Sequence, residues 1–259
     1  MELFLFHFRQ TGYTLKQIFL STPAYGTVDP ENLKAILSSN FSGMEYRAID
    51  FSMTTNNWPC VDWDNGPRRE ITFPMFGDGI FTQEGEAWKH SRNIMKPQLS
   101  YKHYENLDIF KQSIDDLLEV LPATGGVVDL QPLFFRFTLD VTTAFLFGES
   151  ICSLRSPVSA GEDTFASAFD TAQRYVVHRF RLLGLYWLIG GKEFRQSCER
   201  IHSFADQIID RNLKPDSSSS NFLNSVAKDC PDRASLRGQI VNILAAGRDT
   251  TACLLSWAL

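Results

Sequence analysis

The sequence predicts a mainly α-helical chain with a small N-terminal β element, ending within a long helix. Three observations carry that expectation. From Glu84 onward, apolar residues recur at three- and four-residue spacing, as in helices that bury one face. Residues 13–28 alone read as extended, in two short segments broken at Ser21-Thr22-Pro23. Residues 234–259 hold an apolar helical pattern that reaches Leu259 with no stop signal.

Taken in order, Asp29-Pro30-Glu31 starts a helix. Asp29 caps, Pro30 suits the first helical position, and Leu33, Ile36 and Leu37 give an apolar face. From about Gly43 to Arg69 the period dissolves into turn residues such as those of 52–59. Gly77-Asp78-Gly79 is a turn, and it lacks the third glycine of a dinucleotide fingerprint because Thr82 stands there. Residues 84–95 predict a helix that stops before Pro97. Leu107, Phe110, Ile114, Leu117, Leu118 and Leu121 share the next helical face, up to Pro122. Leu133, Phe134, Phe137, Val141 and Phe145 mark another, up to Gly148, and further helices span 165–177 and 194–213. Residues 214–220, with four serines at 217–220, are a linker loop.

Composition narrows the function classes. With 25 Lys and Arg against 30 Asp and Glu, the net charge is -5, which argues against a basic nucleic-acid surface and predicts no nucleic-acid partner. At 259 residues and 44% hydrophobic the chain can build a sizeable core, which excludes disorder and a disulfide scaffold. The 21 phenylalanines predict a bulky core or pocket lining. Five cysteines without a C-x-x-C pair, and scattered histidines without H-E-x-x-H, give no metal site. The patch from Leu3 to Phe8 is too short for a signal or a membrane span. The apolar stretch 182–189 is also too short to span. It is left to dip into a membrane surface, line a channel or pack in the core.

Two segments carry chemistry. Trp88 and Arg92 stand four apart on a helix, so an indole N–H and a guanidinium can meet one anionic group. The bland alternative is a solvated basic turn with a half-buried Trp. Ala246-Gly247-Arg248-Asp249-Thr250-Thr251 places a glycine within a helix, where it costs about 1 kcal/mol relative to Ala. The missing side chain makes room for a ligand, a Thr hydroxyl can bond back to an upstream carbonyl, and Asp with Thr makes a proton path. The alternative is a helix break at Gly247, with Asp249 or Thr250 capping a second helix.

In this order and separation, the two segments resemble the cytochrome P450 (haem-thiolate monooxygenase) family. Residues 246–251 resemble its distal-helix motif A/G-G-x-D/E-T-T/S, and 88–92 its W-x-x-x-R helix. Asp29-Pro30-Glu31-Asn32, Phe76-Gly77-Asp78-Gly79-Ile80-Phe81 and Phe137-Thr138-Leu139-Asp140-Val141 are similar to the fungal branch that hydroxylates n-alkanes and fatty acids. The resemblance implies that Trp88 and Arg92 hold haem propionates, that Ala246 and Gly247 form the oxygen-binding groove, that Thr250 hydrogen-bonds dioxygen and that Asp249 relays protons. It also implies a small apolar substrate, electrons from NADPH-cytochrome P450 reductase, and, for full-length members, the endoplasmic reticulum membrane.

The departures matter as much. No glutamate is followed by Arg three residues on, so the family's E-x-x-R is absent, and no cysteine has the F-x-x-G-x-R-x-C-x-G context of the axial ligand. Cys253 stands on the distal helix itself, the wrong side for that role. Residues 46–62 read as an insertion or an unspliced intron. The expectation is therefore a partial cytochrome P450 domain over residues 1–259, without anchor, cytosolic or unstable as written, and inactive as written for want of the Cys ligand. The competing expectation is a non-catalytic helical protein or pseudogene product with a binding role at most.

Overall fold

The computed structural model describes residues 2–19, 22–36, 67–99, 108–122, 125–148, 150–155, 165–213, 222–230 and 232–259. The insertion expected at 46–62, the loop at 214–220, and Leu37, Cys60 and Leu107 lie outside those residues.

The apolar patch near the N-terminus, to which the sequence assigned no element, is helix α1 (Glu2–Thr11), followed by Gly12 at φ +91°. The two extended segments are strands β1 (Thr14–Phe19) and β2 (Thr22–Thr27), paired antiparallel with Thr14 opposite Thr27. Helix α2 (Pro30–Lys34) begins as its sequence signals require, the Asp29 carboxylate accepting from the Glu31 N–H at 2.8 Å.

Helix α3 (Arg68–Phe76) falls where no period was visible, and Pro74 sits inside it. Proline at 74 cannot donate to the Glu70 carbonyl four residues back. The buried Arg179 does so instead: its Nη2 donates to Glu70 O at 3.2 Å and its Nε to Ile71 O at 2.8 Å. A long-range contact thus completes a helix that the local sequence leaves unfinished.

Helix α4 (Gly85–Gln98) does not stop before Pro97 but includes it. In a final turn, proline forfeits only one backbone bond, and the Leu99 N–H still reaches Met95 O at 3.1 Å. Helices α5 (Asp108–Val120) and α6 (Leu130–Phe147) follow, α6 closing on Gly148 in the left-handed conformation at φ +80°. After a 3₁₀ turn at Ser153–Arg155 come α7 (Phe165–Leu182), a second 3₁₀ segment (Leu183–Leu188), α8 (Lys192–Asn212), the unanticipated short α9 (Phe222–Asp229) and α10 (Arg233–Ala258). Helix α10 is continuous through Gly247, which removes the helix-break alternative. Its start is capped by Asp232, which accepts from the Ser235 N–H at 2.8 Å.

The core lies among α6, α7, α8, α9 and α10, with Leu139, Phe169, Ile201, Leu223 and Leu244 fully buried. The apolar stretch 182–189 presents part of its length to solvent. Leu185, Trp187 and Leu188 are exposed, Trp187 by 65%. No helix among the described residues is long and apolar enough to cross a membrane.

The turn Gly77-Asp78-Gly79 lies directly on α10. A Cβ at Gly79 would stand 2.5 Å from Asn242 Nδ2, and one at Gly238 would run into the Asp78 backbone. Two glycines, one on each side, let backbone meet backbone. Gly238→Ala should therefore lower the free energy of urea unfolding by about 2 kcal/mol, the scale of an overpacked contact. Gly190→Ala, with open space around it, should stay within about 0.5 kcal/mol of the parent chain.

Candidate functional site

Helix α10 has two contrasting faces. On one side Gly247 meets α6 so closely that a Cβ there would lie 2.7 Å from Thr142 Oγ1. On that side the room left by the glycine is filled by Thr142. Thr138, one turn earlier on α6, donates its hydroxyl to Arg248 O at 2.8 Å. The Arg248 side chain is buried at 2% exposure, its guanidinium 4.9 Å from the Phe135 ring centroid and 5.3 Å from that of Phe169. Its Nη2 pairs with Asp170 at 2.5 Å and its Nη1 with Asp249 at 3.1 Å. The Asp249 carboxylate also accepts from Gln173 Nε2 on α7.

The other face carries half-buried Ala246 and exposed Thr250, one turn apart. The Thr250 hydroxyl donates to Ala246 O at 2.7 Å, the back-bond expected from its position. Asp249 is half-buried beside them and held toward α7 rather than toward Thr250. The structure thus brings Ala246, Gly247, Asp249 and Thr250 together on one continuous helix.

The second motif lies on α4. Arg92 Cζ sits 5.4 Å from the centroid of the Trp88 ring, so the two do share a face. Trp88 is half-buried and Arg92 exposed, and no carboxylate pairs with Arg92 among the described residues. What joins this helix to α10 was not anticipated. Ser91, buried between Trp88 and Arg92 in sequence, accepts from Gln239 Nε2 at 2.6 Å and donates to Gln83 Oε1. Gln239 Oε1 accepts from the Ile80 N–H at 2.9 Å. Asn242 Oδ1 accepts from the Phe81 N–H at 2.7 Å, while its Nδ2 donates to Phe76 O at 3.0 Å. Two amides within the apolar run 238–245 were the available signal, since a buried Gln or Asn must find partners.

Electrostatics separate the groups further. Burial raises the Asp249 carboxyl above its ordinary range, against the lowering effects of the Gln173 hydrogen bond and the Arg248 charge, while Asp170 adds to the rise. Burial likewise pushes the Cys198 thiol up to about 12 and raises Cys230. Cys253 is exposed on α10, three residues beyond Thr250. Among the described residues no cluster of His, Cys, Asp and Glu could hold a metal ion.

Comparison with known proteins places the chain by sequence and fold. The family model described as Cytochrome P450 matches residues 62–259. A protein named Cytochrome P450 from Arthroderma benhamiae is 35% identical over 100% of this chain and 47% of its own length. Cytochrome P450 52A4 of Candida maltosa is 37% identical over 89% of this chain and 42% of its own length. For Cytochrome P450 52A1 of Candida tropicalis the figures are 37%, 92% and 43%. The chain therefore spans about half the length of the curated relatives it matches. In fold it is similar to the crystal structure of a cytochrome P450 (CYP102L1), with a TM-score of 0.66 at 17% identity, covering 98% of this chain and 56% of that one.

The Asp249 environment predicts a pH signature. An acid whose folded pKa lies above its unfolded one binds more protons in the folded state across the interval between them. Relative to Asp249→Asn, the parent chain should lose stability as pH rises from the ordinary carboxylate value, about 4, through the raised folded value, and stay level above it. Urea unfolding of both chains across that range measures the difference, and a difference growing with pH there contradicts the assignment.

Proposed function

The chain belongs to the cytochrome P450 family, and from that membership we propose that it forms the distal, oxygen-side portion of a monooxygenase. The reaction is insertion of one atom of dioxygen into a C–H bond of an alkane or fatty acid. The family implies haem as cofactor and a redox partner as electron source. For this branch the proposed partner is NADPH-cytochrome P450 reductase and the proposed location the endoplasmic reticulum membrane, with the exposed Leu185, Trp187 and Leu188 available to a lipid surface.

The residues present fit haem. The Arg92 guanidinium is exposed and stacked on an indole, with no carboxylate partner among the described residues, as an anion-binding group requires. The Ala246–Thr250 face of α10 is open and carries small side chains next to a hydroxyl. Trp88 and Arg92 would hold the propionates and Ala246 would border the oxygen site, with Gly247 beside it at the edge of that face, its α6 side being taken by Thr142. Haem, when bound, supplies the activation of dioxygen and the redox chemistry.

This chain's own residues supply protons and orientation. Thr250 Oγ carries a proton on the open face and now donates it to Ala246 O, so it can present the same proton to an oxygen substrate at little positional cost. Asp249, whose carboxyl holds a proton to higher pH than an ordinary aspartate, is the proposed proton source, and since Gln173 and Arg248 hold it toward α7 the transfer to the open face would run through water. The observation that carries the reading is the hydrogen bond that Gln239 donates to Ser91. It ties the helix bearing Trp88 and Arg92 to the same α10 that bears Ala246 and Thr250, across 148 residues of sequence.

No cysteine of the chain stands in the sequence context of the family's axial ligand. Cys198 and Cys230 are buried with raised pKa, Cys152 is half-buried with its thiol on Ser150 O at 3.7 Å, and Cys253 shares α10 with the proposed oxygen-side residues. We therefore propose that residues 1–259 alone do not hydroxylate. The non-catalytic reading draws on the same cysteines, and one experiment separates the two. The chain is co-expressed with the C-terminal portion of Cytochrome P450 52A1 that it does not match. The reduced complex should give a thiolate-type CO difference spectrum and hydroxylate n-alkanes, with Asp249→Asn slowing hydroxylation about 100-fold. The chain alone should give no such spectrum. A complex without the spectrum supports the non-catalytic reading, and a chain that gives it unaided overturns the proposed inactivity.

A further inference from the structure

Helix α4 packs chiefly against α9, and it is joined to α10 by a hydrogen bond between polar side chains. A relay of polar side chains runs between them. Arg69 Nη1 donates to Asp78 Oδ1 at 2.9 Å, Gln83 Nε2 donates to Asp78 Oδ2 at 3.2 Å, and Gln83 Oε1 accepts from the Ser91 hydroxyl. Ser91 Oγ in turn accepts from Gln239 Nε2 at 2.6 Å, with Gln239 Oε1 on the Ile80 N–H. Ser91 and Gln239 are each 3% exposed, so neither bond is shared with bulk solvent.

The placement is specific. Ser91 immediately precedes Arg92 and follows Trp88 by three positions, close to one turn. Gln239 lies seven residues, two turns or about 10 Å along the axis, before Ala246 on the same side of α10. One hydrogen bond therefore relates the height and rotation of the guanidinium–indole pair to the oxygen-side face. We propose that Ser91 and Gln239 are positioning residues that set Arg92 and Trp88 for the two carboxylates of a haem held against α10. The proposal rests on the reading of Trp88 and Arg92 as the propionate-binding pair.

The test is a double-mutant cycle on the full 259-residue chain, read by equilibrium titration with haemin and with haemin dimethyl ester, in which both carboxylates are masked. The parent should bind haemin more tightly than the ester. Ser91→Ala should weaken haemin about tenfold, within the range for coupled neighbours, and leave the ester within about twofold. In an Arg92→Ala background the same Ser91→Ala change should cost less than about twofold. Gln239→Leu should repeat the pattern. If it unfolds the chain by urea titration, Ser91→Ala, which leaves Gln239 Nε2 within 3.4 Å of Gln83 Oε1, still decides the matter. A Ser91→Ala loss that is equal for haemin and ester, or undiminished without Arg92, overturns the positioning role while leaving the propionate reading intact. Equal binding of haemin and ester by the parent overturns the propionate reading, and the positioning role with it.

Discussion

The close approach of α6 to α10 at Thr142 and Gly247 sets the orientation on which the rest of the site depends. Without a Cβ at 247 the helices come near enough for the Thr138 hydroxyl to reach Arg248 O. That contact fixes the rotation of α10 about its own axis. At 3.6 residues per turn, Arg248 then points about 160° away from Ala246, into the interior, and leaves Ala246 and Thr250 on the open side. An alanine at 247 would push the helices apart at the one place where the charged and the open faces are sorted.

Burying the Arg248 guanidinium costs desolvation that a single ion pair seldom repays. Here the cost is spread. Asp170 and Asp249 each take one end, Phe135 and Phe169 present their ring faces, and only Nε lacks a partner. Such an arrangement contributes little net stability, since hydrophobic side chains of similar volume could fill the space as well. Its consequence is local: the Asp249 carboxylate is tied to an immobile cation on one oxygen and to the Gln173 amide on the other. The acid is thus held in a defined place at the edge of the open face, and burial keeps its proton on to higher pH.

The same logic appears two turns earlier, where Gln239 and Asn242 interrupt an otherwise apolar stretch. Each satisfied amide hydrogen bond is worth about 1 kcal/mol net, whereas an orphaned one costs about 1–3 kcal/mol. The amides therefore act mainly against alternatives: any shift of the Gly77–Gln83 turn takes the partly buried Ile80 and Phe81 N–H groups off their partners and leaves the buried Gln239 and Asn242 oxygens without them. The paired glycines at 79 and 238 make the same demand sterically. Register between α3, α4 and α10 is thereby fixed by groups that contribute little to the size of the core.

What could be read from sequence follows from which forces are local. The periodicity of α5 to α8 and α10, the Asp29 start, the Gly148 stop and the two strands depend on near neighbours, and each was visible. Helix α3 was not, because Pro74 needs Arg179, more than a hundred residues on, to complete its hydrogen bonding. Helix α9 was missed because eight residues are too few to show a period. Trp88, Arg92, Ala246, Asp249 and Thr250 stand out in the sequence as candidates, but the contacts that place their helices, Ser91 with Gln239, Gln173 with Asp249 and Thr142 against Gly247, do not, being set by packing between distant helices. Gly247 shows the limit most clearly: a helical glycine announces that something comes close, and only the fold says that on one side it is a threonine.

The cysteines bring chemistry and packing to one argument. A thiolate needs a positive or hydrated surrounding to exist near neutral pH. Cys198 has the reverse, with burial outweighing the nearby Arg179 charge, and Cys230 follows it. Cys253 is exposed on α10, the same helix as the proposed oxygen-side residues, so it would stand on their side of a bound haem and not opposite them. Asp249 is governed by the same physics with the opposite use, since burial that disables a thiol as a ligand equips a carboxyl to keep a proton. The same burial thus keeps Cys198 and Cys230 as neutral thiols and Asp249 as an acid that holds its proton.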